Sequence, residues 1–304
     1  MKIGVTLPQA ETDQGEVPRY AEIRRAALRA ERDGFDSVWL MDHLLFQWEG
    51  QPPRGVWEAL TLLSALAEAT ERVELGVLVI CTAFRNPGLL AKMAESIDEI
   101  SNGRLILGLG AGWHEPEFTA FGYPFDHLAS RFEEAVAIIA PLLRTGAVDF
   151  EGTYERAPEC VSRPRGPRPE GPPILMGTQG PRLLRLAART ADAWNTAWLG
   201  RAAELPDELA RLHAACAEVG RDPASIEITV GQIAMFAGLE PEGAAAEAQP
   251  PRHLFADPAD LASEWRAFAD CGVGHMIVWK MPDTAEVNDC VSEALRLFRN
   301  GNPA

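Results

Sequence analysis

The feature that most constrains this chain is its rhythm: short apolar segments alternate with helix-patterned ones eight times between Lys2 and Phe298. The apolar segments are Lys2–Leu7, Ser37–Met41, Val73–Ile80, Arg104–Leu109, Pro173–Met176, Ala193–Asn195, Ile226–Val230 and His275–Trp279. Runs such as Leu105-Ile106-Leu107-Gly108-Leu109 lack the polar–apolar alternation of a half-exposed strand and read as strands covered on both faces. Between them lie Pro18–Arg32, Trp57–Thr70, Pro87–Ser101, His127–Arg144, Pro181–Thr190, Ala202–Val219, Pro258–Cys271 and Ala285–Phe298, all with helical character. Eight strand–helix units predict an α/β fold, a parallel (β/α)8 TIM barrel, with a doubly wound open sheet as the alternative. Residues 1–304 are read as one domain, with insertions after strands four and seven.

The first insertion, Thr145–Pro172, predicts a small hairpin over Val148–Tyr154, with Gly152 near its turn. Its Arg163–Pro169 cluster of arginine and proline reads as an extended connection. The second, Gly231–Asp257, is rich in Gly, Ala, Glu and Pro and reads as mobile.

A formal charge of −16 argues against a nucleic-acid or anionic-membrane partner. No apolar run is long enough to span a bilayer, and MKIGVTLPQ reads as a first strand, not a leader. Cys81, Cys160, Cys216, Cys271 and Cys290 are odd in number and form no C-x-x-C, the pattern of reduced cytoplasmic thiols.

A barrel builds its site from loops leaving the C-terminal strand ends. That rule selects Pro8 and Gln9, then Asp42 and His43, then Cys81, Thr82 and Arg85. Trp113, His114 and Glu117 follow, then Gly177-Thr178-Gln179-Gly180, Asn195, and Trp279-Lys280. Asp42 beside His43, with Trp39, Phe46 and Trp48 as aromatic neighbours, can hold or move a proton near neutrality. The same pair also reads as a turn cap and a carbonyl-bonded imidazole. Gly177–Gly180, followed by Arg182 and Arg185, suits a phosphate at a helix start, with a tight glycine turn as the alternative. Gly108-x-Gly-x-Gly112 is not a dinucleotide fingerprint: no helix opens on its last glycine and Pro116 interrupts. No metal-ligand spacing and no G-x-S-x-G elbow is present.

Four stretches in order resemble the bacterial luciferase-like family, and within it the coenzyme F420-dependent oxidoreductases: KIGVTLPQ, DGFDSVWLMDHL, LGVLVICTAFRNPGLLAKMAESIDEISNGRLILGLGAGWHEPEFTAFGYPF and PPILMGTQGPRLLRLAARTADAWN. The resemblance runs from Met1 to about Asn195 and more weakly from Ile226 to Phe298. It implies a (β/α)8 barrel binding F420, or alternatively FMN, at its C-terminal mouth. It implies that Asp42 and His43 lie beside the ring, with His43 handling a proton. Leu78-Val79 resembles the place where F420-binding members carry a bulge with a non-prolyl cis peptide backing the ring, next to Cys81. By the same resemblance Gly110, Ala111 and Gly112 let the ring or its side chain approach, and Gly177, Thr178, Gln179 and Gly180 contact the tail and phosphate. Where some F420-dependent dehydrogenases carry a glutamate after these glycines this chain has Trp113, which speaks against sugar-phosphate dehydrogenation.

The implied function is hydride transfer between the deazaflavin C5 and a small organic substrate. A two-component FMN monooxygenase fed by a flavin or F420 reductase, and a flavin carrier without turnover, are the alternatives. Trp48, Trp113, Phe121, Trp198 and Trp279 read as a pocket lining or as rim packing. Relatives imply a homodimer.

Overall fold

The computed structural model describes residues 1–12, 15–240 and 254–301. Its strands are β1 (Lys2–Thr6), β2 (Ser37–Leu40), β3 (Glu74–Val77), β4 (Leu105–Gly110), β5 (Ile174–Gly177), β6 (Ala193–Ala197), β7 (Glu227–Ala234) and β8 (His275–Lys280). Each pairs in parallel with the next, and β8 closes onto β1 through Lys2↔His275 and Val5↔Val278. The outer helices are α1 (Tyr20–Asp33), α2 (Ala59–Ala69), α3 (Pro87–Ile100), α4 (Leu128–Thr145), α5 (Pro181–Thr190), α6 (Leu205–Val219), α7 (Pro258–Asp270) and α8 (Ala285–Asn300). This is the expected (β/α)8 barrel.

Strand period explains the doubly apolar runs. In β4, Leu105, Leu107 and Leu109 join the layer between sheet and helices, while Ile106 points into the barrel with Trp39, Leu175, Ala193 and Ile277. Trp39 is thus interior packing, not a neighbour of the mouth as its sequence position implied. Glycines on the flanking strands leave its space: a Cβ on Gly76 would lie 2.2 Å from the Trp39 ring, and one on Gly4 2.0 Å from Ser37 Oγ.

Three departures bear on the site. The run Val73–Ile80 is not one strand, because β3 stops at Val77 and the chain bulges through a cis Leu78–Val79 bond. It rejoins β4 at Ile80–Cys81. The loop after β2 holds an antiparallel pair, Leu45–Phe46 with Arg54–Gly55, too short to show a strand pattern. β7 runs on to Ala234, past the expected end at Val230, because its last residues still pair with β8 as far as Lys280. Of the expected excursion Gly231–Asp257, residues 241–253 lie outside the described residues.

Between α4 and β5 the hairpin is Ala147–Glu151 with Arg156–Val161, longer than expected. The arginine cluster after it has a structural role. Arg165 pairs with Glu95 at 2.8 Å and Arg168 donates to Asp98 at 2.9 Å, both carboxylates being buried on α3. Buried carboxylates need such partners, so each arginine ties the connection to the barrel wall.

Candidate active site

The C-terminal strand ends enclose a cavity of about 1650 Å³. Its β2–β4 side is polar and locked. Gln9, leaving β1, accepts from Met41 N at 2.8 Å and donates to Met41 O at 2.9 Å, fixing the exit of β2. One residue on, Asp42 receives Arg85 bidentately at 2.7 and 2.8 Å and accepts from Cys81 N at 2.9 Å. Arg85 also reaches Glu58 at 2.5 Å, and Glu58 caps the start of α2.

Burial raises the Asp42 carboxyl above its ordinary value, and the Arg85 guanidinium and the Cys81 N–H offset only part of that rise. Burial works against charge on Arg85, but Asp42 and Glu58 outweigh it and hold its pKa above the ordinary value. With its oxygens so occupied, Asp42 ties the end of β2 to Cys81 and Arg85 beside the bulge.

His43 is different. Its side chain is 14% exposed and lines the cavity, and Nδ1 lies 2.9 Å from Glu117 Oε1. Glu117 stands on a short helix, Glu115–Phe121, which Pro116 opens in its first turn, so that proline starts a helix and does not merely interrupt one. Phe46 packs on His43 at 4.5 Å between centroids and Trp113 meets it edge-on at 5.7 Å. Next to Glu117, buried His114 accepts from Gln47 N at 3.2 Å, and burial lowers its pKa. The spacing of Glu117 from the β4 glycines was visible in the sequence; its pairing with His43 was not, because 74 residues separate them.

The glycine-rich stretches have a physical reason of their own. A Cβ on Gly110 would lie 2.5 Å from Val79 Cγ2, and one on Gly177 3.0 Å from Val79 Cγ1, so both make room for the bulge. Gly112 has φ +83°, and a Cβ there would lie 2.6 Å from Cys81 Sγ and from Phe118. The close approach at these positions is made by the protein's own chain. Burial pushes the Cys81 thiol up to about 12, which leaves it a protonated wall group.

Leu78, Val79, Cys81, Gly110, Ala111, Gly112, Gly177, Thr178 and Gln179 all line the cavity with Asp42 and His43. Gly180 does not: it caps α5 with φ −73°. Arg182 and Arg185 also stand outside it, donating to Glu133 at 3.0 Å and Glu218 at 3.3 Å.

Opposite the locked side, Trp198 and Trp279 pack at 5.2 Å, and Lys280 donates to Asn288 at 2.6 Å. Trp48 and Trp113 pack in a tilted arrangement at the rim, 5.8 Å apart, while Phe121 is exposed and lines none of the cavity. The Ala197–Trp198 bond is cis, which no residue pattern signalled. Among the described residues, no group of three or more His, Cys, Asp and Glu is placed to hold a metal.

A sequence model of luciferase-like monooxygenases matches residues 1–277. The chain belongs to that family. An F420-dependent glucose-6-phosphate dehydrogenase of Amycolatopsis mediterranei is 35% identical over 173 residues, which cover 55% of this chain and 50% of that protein. A 5,10-methylenetetrahydromethanopterin reductase of Archaeoglobus fulgidus is 34% identical over 174 residues, covering 57% and 48%. The chain thus spans about half the length of these curated relatives. An F420-dependent secondary alcohol dehydrogenase, solved with an F420–acetone adduct, superposes with a TM-score of 0.80 over 98% of this chain and 99% of its own. At 19% identity that likeness shows the barrel fold alone.

Proposed function

We propose that this luciferase-like protein is an F420-dependent oxidoreductase acting on a small organic substrate, with His43 as the catalytic proton carrier. The observation that carries the reading is the placement of His43 in the wall of a large cavity that the bulge at Leu78–Val79 also lines. A relative named for F420, 35% identical over 173 residues, supports the cofactor.

The wall fits such a group. Among the described residues Thr178 Oγ1, buried just after β5, has no hydrogen-bond partner, so a polar cofactor tail would satisfy it. Leu78, Val79 and Ala111 offer an apolar surface to a ring, with Asp42 and Cys81 behind it; Gly177 and Gln179 stand beside the tail. When bound, F420 supplies a two-electron hydride donor or acceptor at C5. In the reducing direction His43 Nε2, having taken a proton from solvent, passes it to the substrate heteroatom and the ring returns to its neutral form. In the reverse direction neutral Nε2 takes that proton and releases it to solvent. Trp48, Trp113, Trp198 and Trp279 exclude water and offer apolar area to the substrate.

The same proposal takes residues 1–304 as one cytoplasmic domain working as a homodimer, with a reductase renewing the reduced cofactor. Among the described residues the five cysteines are free, and no helix is long and apolar enough to cross a membrane. The test is an anaerobic assay of reduced F420 with a panel of ketones, aldehydes and imines. Substrate-dependent F420 oxidation supports the reading. Turnover only with reduced FMN and oxygen makes the protein a two-component monooxygenase instead.

A further inference from the structure

Glu117 is 2% exposed, yet both its oxygens are engaged. Oε2 accepts from Leu44 N at 2.8 Å and, more weakly, from Leu45 N at 3.4 Å, while Oε1 faces His43 Nδ1 at 2.9 Å. We propose that Glu117 is a positioning residue that holds His43 in the tautomer with its hydrogen on Nδ1, leaving Nε2 as the atom that exchanges the proton. This rests on the reading of His43 given above.

The assignment follows from donor and acceptor inventory. A backbone N–H can only donate, so Leu44 and Leu45 commit Oε2 as an acceptor. An ionised carboxylate has no hydrogen to offer, so the ring nitrogen facing Oε1 must carry one. A neutral imidazole then has its lone pair on the other nitrogen, Nε2, for which no described protein group is a partner.

Turning the ring over would set carbon against a buried carboxylate, leaving one oxygen without its donor. Phe46 and Trp113 flank the ring and oppose that turn. Because Glu117 also holds the Leu44–Leu45 backbone, one side chain registers both the position of His43 and its hydrogen. The remaining ionisable neighbours face elsewhere: His114 accepts from Gln47 N, and Asp42 and Arg85 are bonded to each other.

Glu117→Gln separates this role from simple packing. Its single carbonyl oxygen is claimed by the Leu44 N–H, which turns the amide N–H₂ towards His43. The amide donates to Nδ1, and the ring hydrogen moves to Nε2. Long-range ¹H–¹⁵N NMR of the ¹⁵N-labelled full chain at neutral pH reads this directly, with His43 assigned from its loss in His43→Gln.

The wild type is expected to show the Nδ1–H pattern and Glu117→Gln the Nε2–H pattern. An Nε2–H pattern in the wild type, or one tautomer in both proteins, overturns the proposal. The wild-type spectrum decides even if the variant does not fold. In turnover with reduced F420, Glu117→Gln is expected to lose at least about 10²-fold, with an altered pH profile and F420 affinity within about threefold of wild type. Loss of F420 affinity in step with turnover counts against it. If the tautomers behave as stated but His43→Gln turns over normally, the reading of His43 falls while the positioning by Glu117 stands.

Discussion

Two histidines in this barrel show what surroundings do to one side chain. At the bottom, His275 at the start of β8 is 1% exposed, with Nε2 2.7 Å from Ser37 Oγ, which in turn accepts from Trp39 Nε1 at 2.7 Å. Among the described residues no carboxylate is bonded to it, and burial pushes its pKa down to about 3, so it stays neutral and serves as a polar piece of packing. At the mouth, His43 faces an open cavity and has a buried carboxylate on its Nδ1. One end of the barrel is filled by Trp39 between glycines, and the other is left hollow, with titratable side chains such as His43 and Glu117 in its wall. Packing and chemistry are divided between the two ends of the same strands.

Removing the mouth histidine breaks the comparison most severely. His43→Ala is expected to lower turnover by about 10²–10⁴-fold while F420 affinity, read by fluorescence titration, barely moves. Equal losses in both would make His43 a binding group only. At the bottom the expected loss is in stability. Trp39→Ala empties a fully buried interior position and should cost about 3–5 kcal/mol in denaturant unfolding. The protein that remains folded should still bind cofactor, and an unchanged unfolding midpoint would contradict the assignment of Trp39 to the core.

The third effect is smaller and pH-dependent. Unfolded His275 takes up a proton as pH falls below about 6.5, whereas the folded residue resists until about 3. The unfolded state therefore binds more protons in that window, and stability falls as pH falls. The slope is at most about 1.4 kcal/mol per pH unit. His275→Gln, which can still accept from Ser37, should remove that slope from the difference between variant and wild type. An unaltered slope would show that His275 does not titrate on unfolding.

The barrel was legible because covered strands leave a local mark: every second residue of β4 is apolar on its outer face, while Ile106 and the glycines look inward. The strand-end rule gathered Asp42, His43, Cys81 and Thr178 around one cavity. What could not be read was pairing across distance. Asp42 read as a partner of its neighbour His43, and the sequence does not show that Arg85, 43 residues on, pairs with it. Arg182 looked like a phosphate ligand because its bond to Glu133 on α4 is tertiary. The glycines suited close approach, but the sequence could not say that the approaching group is Val79 of the bulge.

The central claim is tested most directly by titrating the purified apoprotein with F420 and FMN in parallel, with ring fluorescence as the signal. Tight F420 binding and weak FMN binding, with the F420 signal weakened by Thr178→Val, is the expected result. A preference for FMN, or F420 binding indifferent to the wall of β5, would contradict the account.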